Sequence, residues 1–195
     1  MKIIGVTGIS GSGTSTAATI LEELGGCVVN ADTLAHEAIL RGKAAYGQIV
    51  GAFGDTIIGA DGEIDRKALG KIVFSHADKL AALENIIHPQ VWKDSVALIN
   101  EARETGRYPF AVIDAPLLIE SGMHKLCDTV VLIIASDSAR AERIIKRDGI
   151  TPEAAVRRLA GRVGDEALKP YANFIIENES GFDNLREEII RILTP

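Results

Sequence analysis

Apolar and polar positions along the chain form two kinds of segment, short continuous apolar runs and longer stretches with helical spacing. Five short runs predict buried strands: residues 3–7, 27–30, 110–114, 129–134 and 174–177. Between them, apolar side chains recur every three or four positions; the last such face carries Leu185, Ile189, Ile190 and Leu193. Apolar strands that alternate with helices are typical of a parallel sheet covered on both faces. The pattern therefore predicts an α/β fold with a five-stranded parallel sheet flanked by helices.

Residues 42–106 interrupt this alternation, because they contain almost no strand signal. Their apolar positions have helical spacing, as in Leu80, Leu83, Ile86 and Ile87. We therefore expect one domain over residues 1–195 with a helical insertion at 42–106. Its core would comprise residues 1–41, 107–139 and 171–195.

Composition and charge narrow the classes of partner. The 195 residues are 47% hydrophobic, which is enough for a substantial core, and the net charge of −6 argues against a nucleic-acid partner. Cys27 and Cys127 lack metal-ligand spacing, so we expect free thiols in a reducing cytosol. No apolar stretch reaches the roughly 18 residues of a membrane span, and no signal peptide is evident. We expect a cytoplasmic protein without a membrane partner.

A glycine-rich segment directly after the first strand predicts a phosphate-binding loop. Residues 8–15 match the pattern G-x-x-x-x-G-K-[ST] except at Thr14, which stands where the pattern has lysine. Glycines allow consecutive N–H groups to converge on an anion, and the following helix adds its positive N-terminal end. The hydroxyl of Ser15 or Thr16 is suited to bind Mg²⁺. We expect the phosphates to contact Gly8, Gly11, Ser12, Gly13, Thr14, Ser15 and Thr16.

Two carboxylates follow predicted strands, where ligands bind in open α/β sheets. Asp32 comes just after the second strand and is a candidate base for the acceptor hydroxyl of a phosphoryl transfer. The alternative is that Asp32 caps the next helix. Asp114 ends the third strand and is a candidate ligand of Mg²⁺, with a surface strand terminus as the alternative.

A histidine and a cationic segment complete the candidate chemistry. His88 precedes Pro89, which favours an extended backbone, and such a histidine is more often structural than a ligand. Residues 140–170 contain many basic side chains between acidic ones: Arg140, Arg143, Lys146, Arg147, Arg157, Arg158, Arg162 and Lys169. The alternatives are a pair of solvated helices with internal ion pairs or a mobile lid that neutralises phosphate charge, and we favour the lid.

Taken together, these segments resemble the dephospho-coenzyme A kinase family nearly end to end. The resemblance rests on ordered motifs: residues 5–8 with 11–13, Ala31-Asp32 with His36, residues 53–54 and 61–69, Val73-Phe74, residues 83–89, the signature D-x-P-L-L-x-E at 114–120, and Arg147-Asp148-Gly149 with Glu153-Ala154. Seven segments in order at compatible spacing are far more specific than the loop alone.

The resemblance implies a fold of the P-loop NTPase type, close to nucleoside monophosphate kinases, with a substrate subdomain and a lid. It implies transfer of phosphate from ATP, with Mg²⁺, to the ribose 3′-hydroxyl of dephospho-CoA, giving CoA and ADP. In this interpretation Asp32 is the base, Arg143 lies near the adenine, and His36, His88 and Leu117 lie on the side of dephospho-CoA. A monomer or weak oligomer is expected.

The absent lysine leaves three hypotheses open. The first is an active kinase in which another cation replaces the lysine; Arg162 is the first candidate, since the family commonly has Gln there. The second is a catalytically weak relative that binds a nucleotide or a CoA species. The third is a kinase of the same architecture with another acceptor. We favour the first, because Asp32, Asp114 and the basic segment are all present.

Overall fold

The five predicted strands form a single sheet. The computed structural model describes residues 1–160 and 164–194. Its strands are β1 (Lys2–Thr7), β2 (Cys27–Asn30), β3 (Phe110–Asp114), β4 (Thr129–Ile134) and β5 (Phe174–Glu177), in the spatial order β2-β3-β1-β4-β5. β1 pairs in parallel with β3 and β4, and β4 pairs in parallel with β5. The predicted five-stranded parallel sheet with flanking helices is therefore confirmed.

The register of the sheet brings the ends of β1 and β3 together. Ile4 is opposite Val112, and Val6 is opposite Asp114. The backbone N–H of Ala115 donates to the carbonyl of Val6 at 3.2 Å, which extends the pairing one residue past β3. The residues that follow β1 and β3 thus start from the same edge of the sheet, where ligands of such folds bind.

The part of the chain that the structure describes contains nine helices. They are α1 (Thr14–Glu23), α2 (Ala31–Ala38), α3 (Ala44–Phe53), α4 (Arg66–Val73), α5 (Ala77–Thr105), α6 (Asp137–Asp148), α7 (Pro152–Ala160), α8 (Asp165–Leu168) and α9 (Phe182–Leu193). Short 3₁₀ turns lie at Asp55–Ile57, Met123–Leu126 and Lys169–Tyr171. No helix among the described residues is long and apolar enough to cross a membrane.

The chain divides into two compact units. The first unit comprises residues 1–29 and 101–195, and the second comprises residues 30–100. In the first, α1 and α9 cover one face of the sheet, and their apolar side chains join those of the central strands in one buried cluster that includes Ile4, Val6, Ile20, Ile133, Leu185 and Ile189. A smaller cluster contains Ile9, Leu132 and Leu168. The core of the first unit therefore fixes β1 and α1, the two elements that flank the glycine-rich segment.

The second unit has its own apolar cluster, built from α2, α3, α4 and the first half of α5. Its buried members include Ala38, Ile49, Ile57, Leu69 and Val73. It contains mostly helix, as the spacing predicts, together with one antiparallel bridge between Ile58 and Ile64.

One local prediction is wrong: the backbone at His88-Pro89 is helical rather than extended. Both residues lie inside α5, which runs without interruption from Ala77 to Thr105. Buried positions continue at helical spacing beyond the proline, at Val91, Ser95, Ile99 and Ala102. Burial of this continuous face outweighs the local preference of the residue before a proline.

Candidate active site

The segment between β1 and α1 is a tight loop whose glycines are required by the backbone and by close neighbours. Gly11 and Gly13 have φ values of 85° and 109°, which L side chains rarely adopt. A Cβ atom on Gly11 would lie 2.7 Å from the carbonyl oxygen of Arg140, and one on Gly13 would collide with the side-chain amide of Asn178. The loop is therefore packed on its outer side against α6 and the residue after β5.

Two side chains bind the carbonyl groups of this loop. The Ser12 carbonyl accepts hydrogen bonds from Asn178 Nδ2 at 2.7 Å and from Arg143 Nη1 at 3.1 Å. Arg143 Nη1 also lies 3.2 Å from the carbonyl oxygen of Gly11, and its Nη2 donates to the Asn178 carbonyl at 2.6 Å. Asn178 is only 5% exposed. The Arg143 guanidinium and the Asn178 amide thus hold the loop, the middle of α6 and the residue after β5 together.

α1 begins directly at the end of the loop with its N–H groups uncapped by side chains. Gly13 is the N-cap, no side chain among the described residues caps the helix, and the first turn has no acidic residue. Thr14 is half-buried, while Ser15 and Thr16 are exposed. Because the first N–H groups of a helix have no partner within it, they form a positive site suited to an anion.

Asp114 is buried at the carboxyl end of β3, opposite the end of β1 from which the loop starts. It is 4% exposed, so the alternative of a surface strand terminus is wrong. After it the chain turns, and Thr7 Oγ1 lies 3.4 Å from the carbonyl oxygen of Pro116. Leu117 is 41% exposed. Within residues 1–160 and 164–194, no three His, Cys, Asp or Glu side chains gather as a metal site.

Three basic residues of α6 and α7 are paired with carboxylates: Arg140, Arg147 and Arg158. Arg140 is 8% exposed and lies 2.7 Å from Asp137 and 3.1 Å from Asp165. Burial raises the pKa of Asp165, although the Arg140 guanidinium acts in the opposite direction. In the α6–α7 pair, hydrogen bonding from Arg147 lowers the pKa of Asp148, which also binds Arg158. These contacts belong to the ion-paired alternative, and a lid motion stays a prediction.

A further carboxylate, Glu179, connects the end of β5 to the start of α6. Its side chain accepts hydrogen bonds from the backbone N–H and the hydroxyl of Ser136, which is the N-cap of α6. The backbone hydrogen bond is the main reason why the pKa of Glu179 lies below its usual range. This contact fixes the start of the helix that carries Arg140 and Arg143.

In the second unit, the candidate base Asp32 and the candidate substrate contact His36 are exposed. Asn30 is the N-cap of α2, since its side chain accepts the N–H of Thr33 at 2.8 Å. The alternative of Asp32 as the helix cap is therefore wrong, and its carboxylate lies exposed in the first turn. His36 is also exposed, with Nε2 2.7 Å from Nη2 of Arg66. His88 is half-buried within α5.

Comparison with known proteins decides the family. The sequence model of the family described as dephospho-CoA kinase matches residues 2–184. This chain belongs to the dephospho-CoA kinase family. It is 35% identical to the dephospho-CoA kinase of Carboxydothermus hydrogenoformans, over 99% of this chain and 93% of that protein. It is 38% identical to that of Geobacter metallireducens, over 98% of this chain and 95% of the relative.

Solved structures agree with this assignment. The protein TT1252 from Thermus thermophilus is 30% identical and superposes with a TM-score of 0.81, covering 98% of this chain and 96% of that one. The dephospho-CoA kinase from Campylobacter jejuni is 28% identical, with a TM-score of 0.71 and coverage of 99% and 96%. A shikimate kinase from Acinetobacter baumannii, 18% identical with a TM-score of 0.53, shares the fold. The predicted P-loop kinase fold is confirmed.

The side chains that hold the loop of this dephospho-CoA kinase family member are far from it in sequence. Nothing in the local sequence of Asn178 indicates a contact with a residue 166 positions away. Arg143 is expected near an adenine, and this stays a prediction; in the structure its guanidinium binds the carbonyls of Gly11 and Ser12. Arg162, the proposed substitute for the loop lysine, lies outside the described residues.

Proposed function

We propose that this protein transfers the γ-phosphoryl group of ATP to the 3′-hydroxyl of dephospho-CoA, releasing CoA and ADP. Its membership of the dephospho-CoA kinase family over residues 2–184 is the observation that carries this proposal. The weak-relative alternative is not favoured, because relatives with 35% and 38% identity over nearly the whole chain are dephospho-CoA kinases.

The loop fits the phosphates of a nucleotide. Because glycine has no Cβ atom, the backbone of the loop can approach an anion closely. Ser12 Oγ is buried and has no hydrogen-bond partner within the described residues, which is unusual for a polar atom at such a position. We assign the binding of ATP phosphates to Gly8, Gly11, Ser12, Gly13, Thr14, Ser15 and Thr16.

Asp32 is our proposed base. An exposed carboxylate that does not cap its helix is available to accept the proton of the 3′-hydroxyl. The hydroxyl oxygen then forms a bond to the γ-phosphorus, while the bond from that phosphorus to the β–γ bridging oxygen breaks and ADP departs. His36, His88 and Leu117 are our candidates for contacts with dephospho-CoA, with residues 42–106 as its binding region and residues 140–170 as a lid.

Magnesium fits the oxygen atoms near the loop. We propose that Ser15 and Asp114 hold it, directly or through water, together with phosphate oxygens; Mg²⁺ usually takes only one or two protein carboxylates. When bound, it offsets negative charge on the phosphates. This arrangement does not require a cluster of three acidic or histidine side chains.

The direct test of the function is an assay of purified protein with Mg-ATP and dephospho-CoA, following CoA by chromatography. A parallel panel of nucleoside monophosphates as acceptors addresses the alternative of a kinase with another acceptor. Turnover with dephospho-CoA well above every nucleoside monophosphate is expected. Exclusive turnover of a nucleoside monophosphate would replace our proposal with that alternative, and nucleotide binding without any turnover would support the weak-relative hypothesis.

Thr14 leaves the loop without its usual cation, and we propose that Arg162 supplies one. Arg162→Gln is expected to lower kcat/KM roughly 10²-fold, as for loss of one preorganised charge. The double variant Thr14→Lys with Arg162→Gln is expected to recover part of that loss in the same assay. Full activity of Arg162→Gln would contradict the compensation. If Thr14→Lys alone turned on an inactive protein, the native chain would be a binding relative.

A further inference from the structure

The two peptide units at the centre of the loop differ in how their polar groups are used. In the unit that joins Gly11 to Ser12, the carbonyl binds Arg143 and the N–H donates to the Ile9 carbonyl at 2.9 Å. In the unit that joins Ser12 to Gly13, the carbonyl accepts two hydrogen bonds, from Arg143 and Asn178. The Gly13 N–H has no partner within the described residues.

The direction of the Gly13 N–H follows from peptide geometry. A trans peptide is planar, and its C=O and N–H groups point in opposite directions. Because Arg143 and Asn178 hold the Ser12 carbonyl on one side, the Gly13 N–H is held on the other. Without these donors, the carbonyl would be free to turn toward an anion, where its negative oxygen would repel phosphate.

Arg143 also places a positive charge behind the loop. Its Nη1 lies 3.2 Å and 3.1 Å from the carbonyl oxygens of Gly11 and Ser12. A charged donor polarises the peptide units that it binds, and polarised N–H groups are better donors to phosphate. This effect is valuable here, because Thr14 brings no charge to the loop.

We propose that Arg143 and Asn178 are positioning residues that aim the Gly13 N–H at the nucleotide's phosphates, and that Arg143 supplies part of the charge absent at Thr14. The inference rests on the proposed function, since it assumes that the loop holds a triphosphate. It differs from a contact between Arg143 and the adenine, which concerns the base and not the phosphates. The two roles predict different responses to a triphosphate without a base.

The test measures dissociation constants by calorimetry for ATP, GTP and inorganic tripolyphosphate, each with Mg²⁺ and without acceptor. Arg143→Gln is expected to weaken all three by a similar factor of roughly 10- to 100-fold, the range for lost hydrogen bonds to a charged group. Arg143→Lys, which keeps the charge, should recover part of the loss. Arg191→Gln is the control, because Arg191 is exposed and, among the described residues, pairs only with neighbours on α9.

The outcomes separate the inference from the function. Weaker ATP binding with unchanged tripolyphosphate binding would assign Arg143 to the adenine and overturn our proposal, as would unchanged binding of all three. If Arg143→Gln fails to fold, Asn178→Ala tests the same Ser12 carbonyl, and it too must weaken tripolyphosphate. If the wild-type protein binds no triphosphate, the proposed function fails together with the inference.

Discussion

The nucleotide loop and the candidate acceptor residues are built in opposite ways. The loop is made of backbone groups whose positions are fixed by packed neighbours, namely Arg143, Asn178 and the carbonyl of Arg140. Asp32 and His36, in the second unit, are exposed side chains on one helix. The first region is organised before any ligand arrives, whereas the second has few contacts that restrict its side chains.

This difference determines which substitutions each region tolerates. A site made of backbone groups tolerates changes of many side chains but not the addition of a Cβ atom at a critical glycine. A site made of exposed side chains tolerates changes in packing but depends on the chemistry of single groups. Substitutions in the two regions should therefore affect different kinetic constants.

The largest effect is expected for Gly13→Ala. The new Cβ would meet the Asn178 amide, and the φ of 109° is unfavourable for alanine, so both the loop and its partner must move. We expect kcat/KM to fall on the order of 10³-fold, the upper end for loss of one preorganised donor. Steady-state kinetics and ATP titration measure this.

The matched control for that variant is Gly51→Ala. Gly51 lies inside α3, and a Cβ there meets nothing within 4 Å. Alanine should stabilise the helix by about 0.5–1 kcal/mol and leave the affinity for ATP unchanged. If Gly13→Ala had the same affinity for ATP as Gly51→Ala, the loop would not be a rigid backbone site.

The second effect is expected for Asp32→Asn. Loss of the proposed base should lower kcat by about 10²-fold while ATP affinity changes only a few-fold, because the loop is untouched. Glu37→Gln, which removes another exposed carboxylate from α2, is the control. Wild-type turnover of Asp32→Asn would exclude the base role, and thermal unfolding of both variants would show whether either destabilises the helix.

The last prediction involves no change in activity. It concerns the packing of the first unit, which the reactivity of the Cys127 thiol reports. Burial raises the pKa of its thiol to about 12, with Asp128 adding to the shift. At pH 8 the reactive thiolate is therefore scarce, and alkylation by iodoacetamide should be on the order of 10³-fold slower than for a free cysteine. Mass spectrometry after timed labelling gives the rate.

A cysteine in the second unit provides the reference for that measurement. Ala52 is exposed in α3, so the thiol of Ala52→Cys should react at an ordinary rate in the same tube. Fast labelling of Cys127 in the native protein would mean that the first unit opens readily. The first unit would then be less tightly packed than the structure indicates, and it would differ less from the exposed residues of the second unit.

The sequence was sufficient for the sheet and the loop because both depend on local patterns. Four of the five predicted strands match the structure residue for residue, and β1 differs only by including Lys2. The path of α5 was not predictable from His88-Pro89, since burial of Val91 and Ile99 determines it.

The local sequence predicted the roles of some candidate site residues better than those of others. Asp32 was a plausible helix cap until the structure showed that Asn30, two residues earlier, has this role; both are good capping residues. The contact of Asn178 with Ser12 depends on tertiary structure alone. The local sequence thus indicated which side chains have suitable chemistry, and the tertiary structure determines which of them already bind other parts of the protein.

The pairing of β1 has a consequence for how the protein is made. Lys2 is paired with Phe110, more than a hundred positions later, and the second unit is synthesised between them. At about 5–20 residues per second, β1 must wait several seconds on the ribosome before β3 emerges. The apolar strand is unpaired during that interval, and the second unit has its own core to form meanwhile. We expect the nucleotide loop to be among the last parts of the nascent chain to acquire its shape, since Asn178 comes later still.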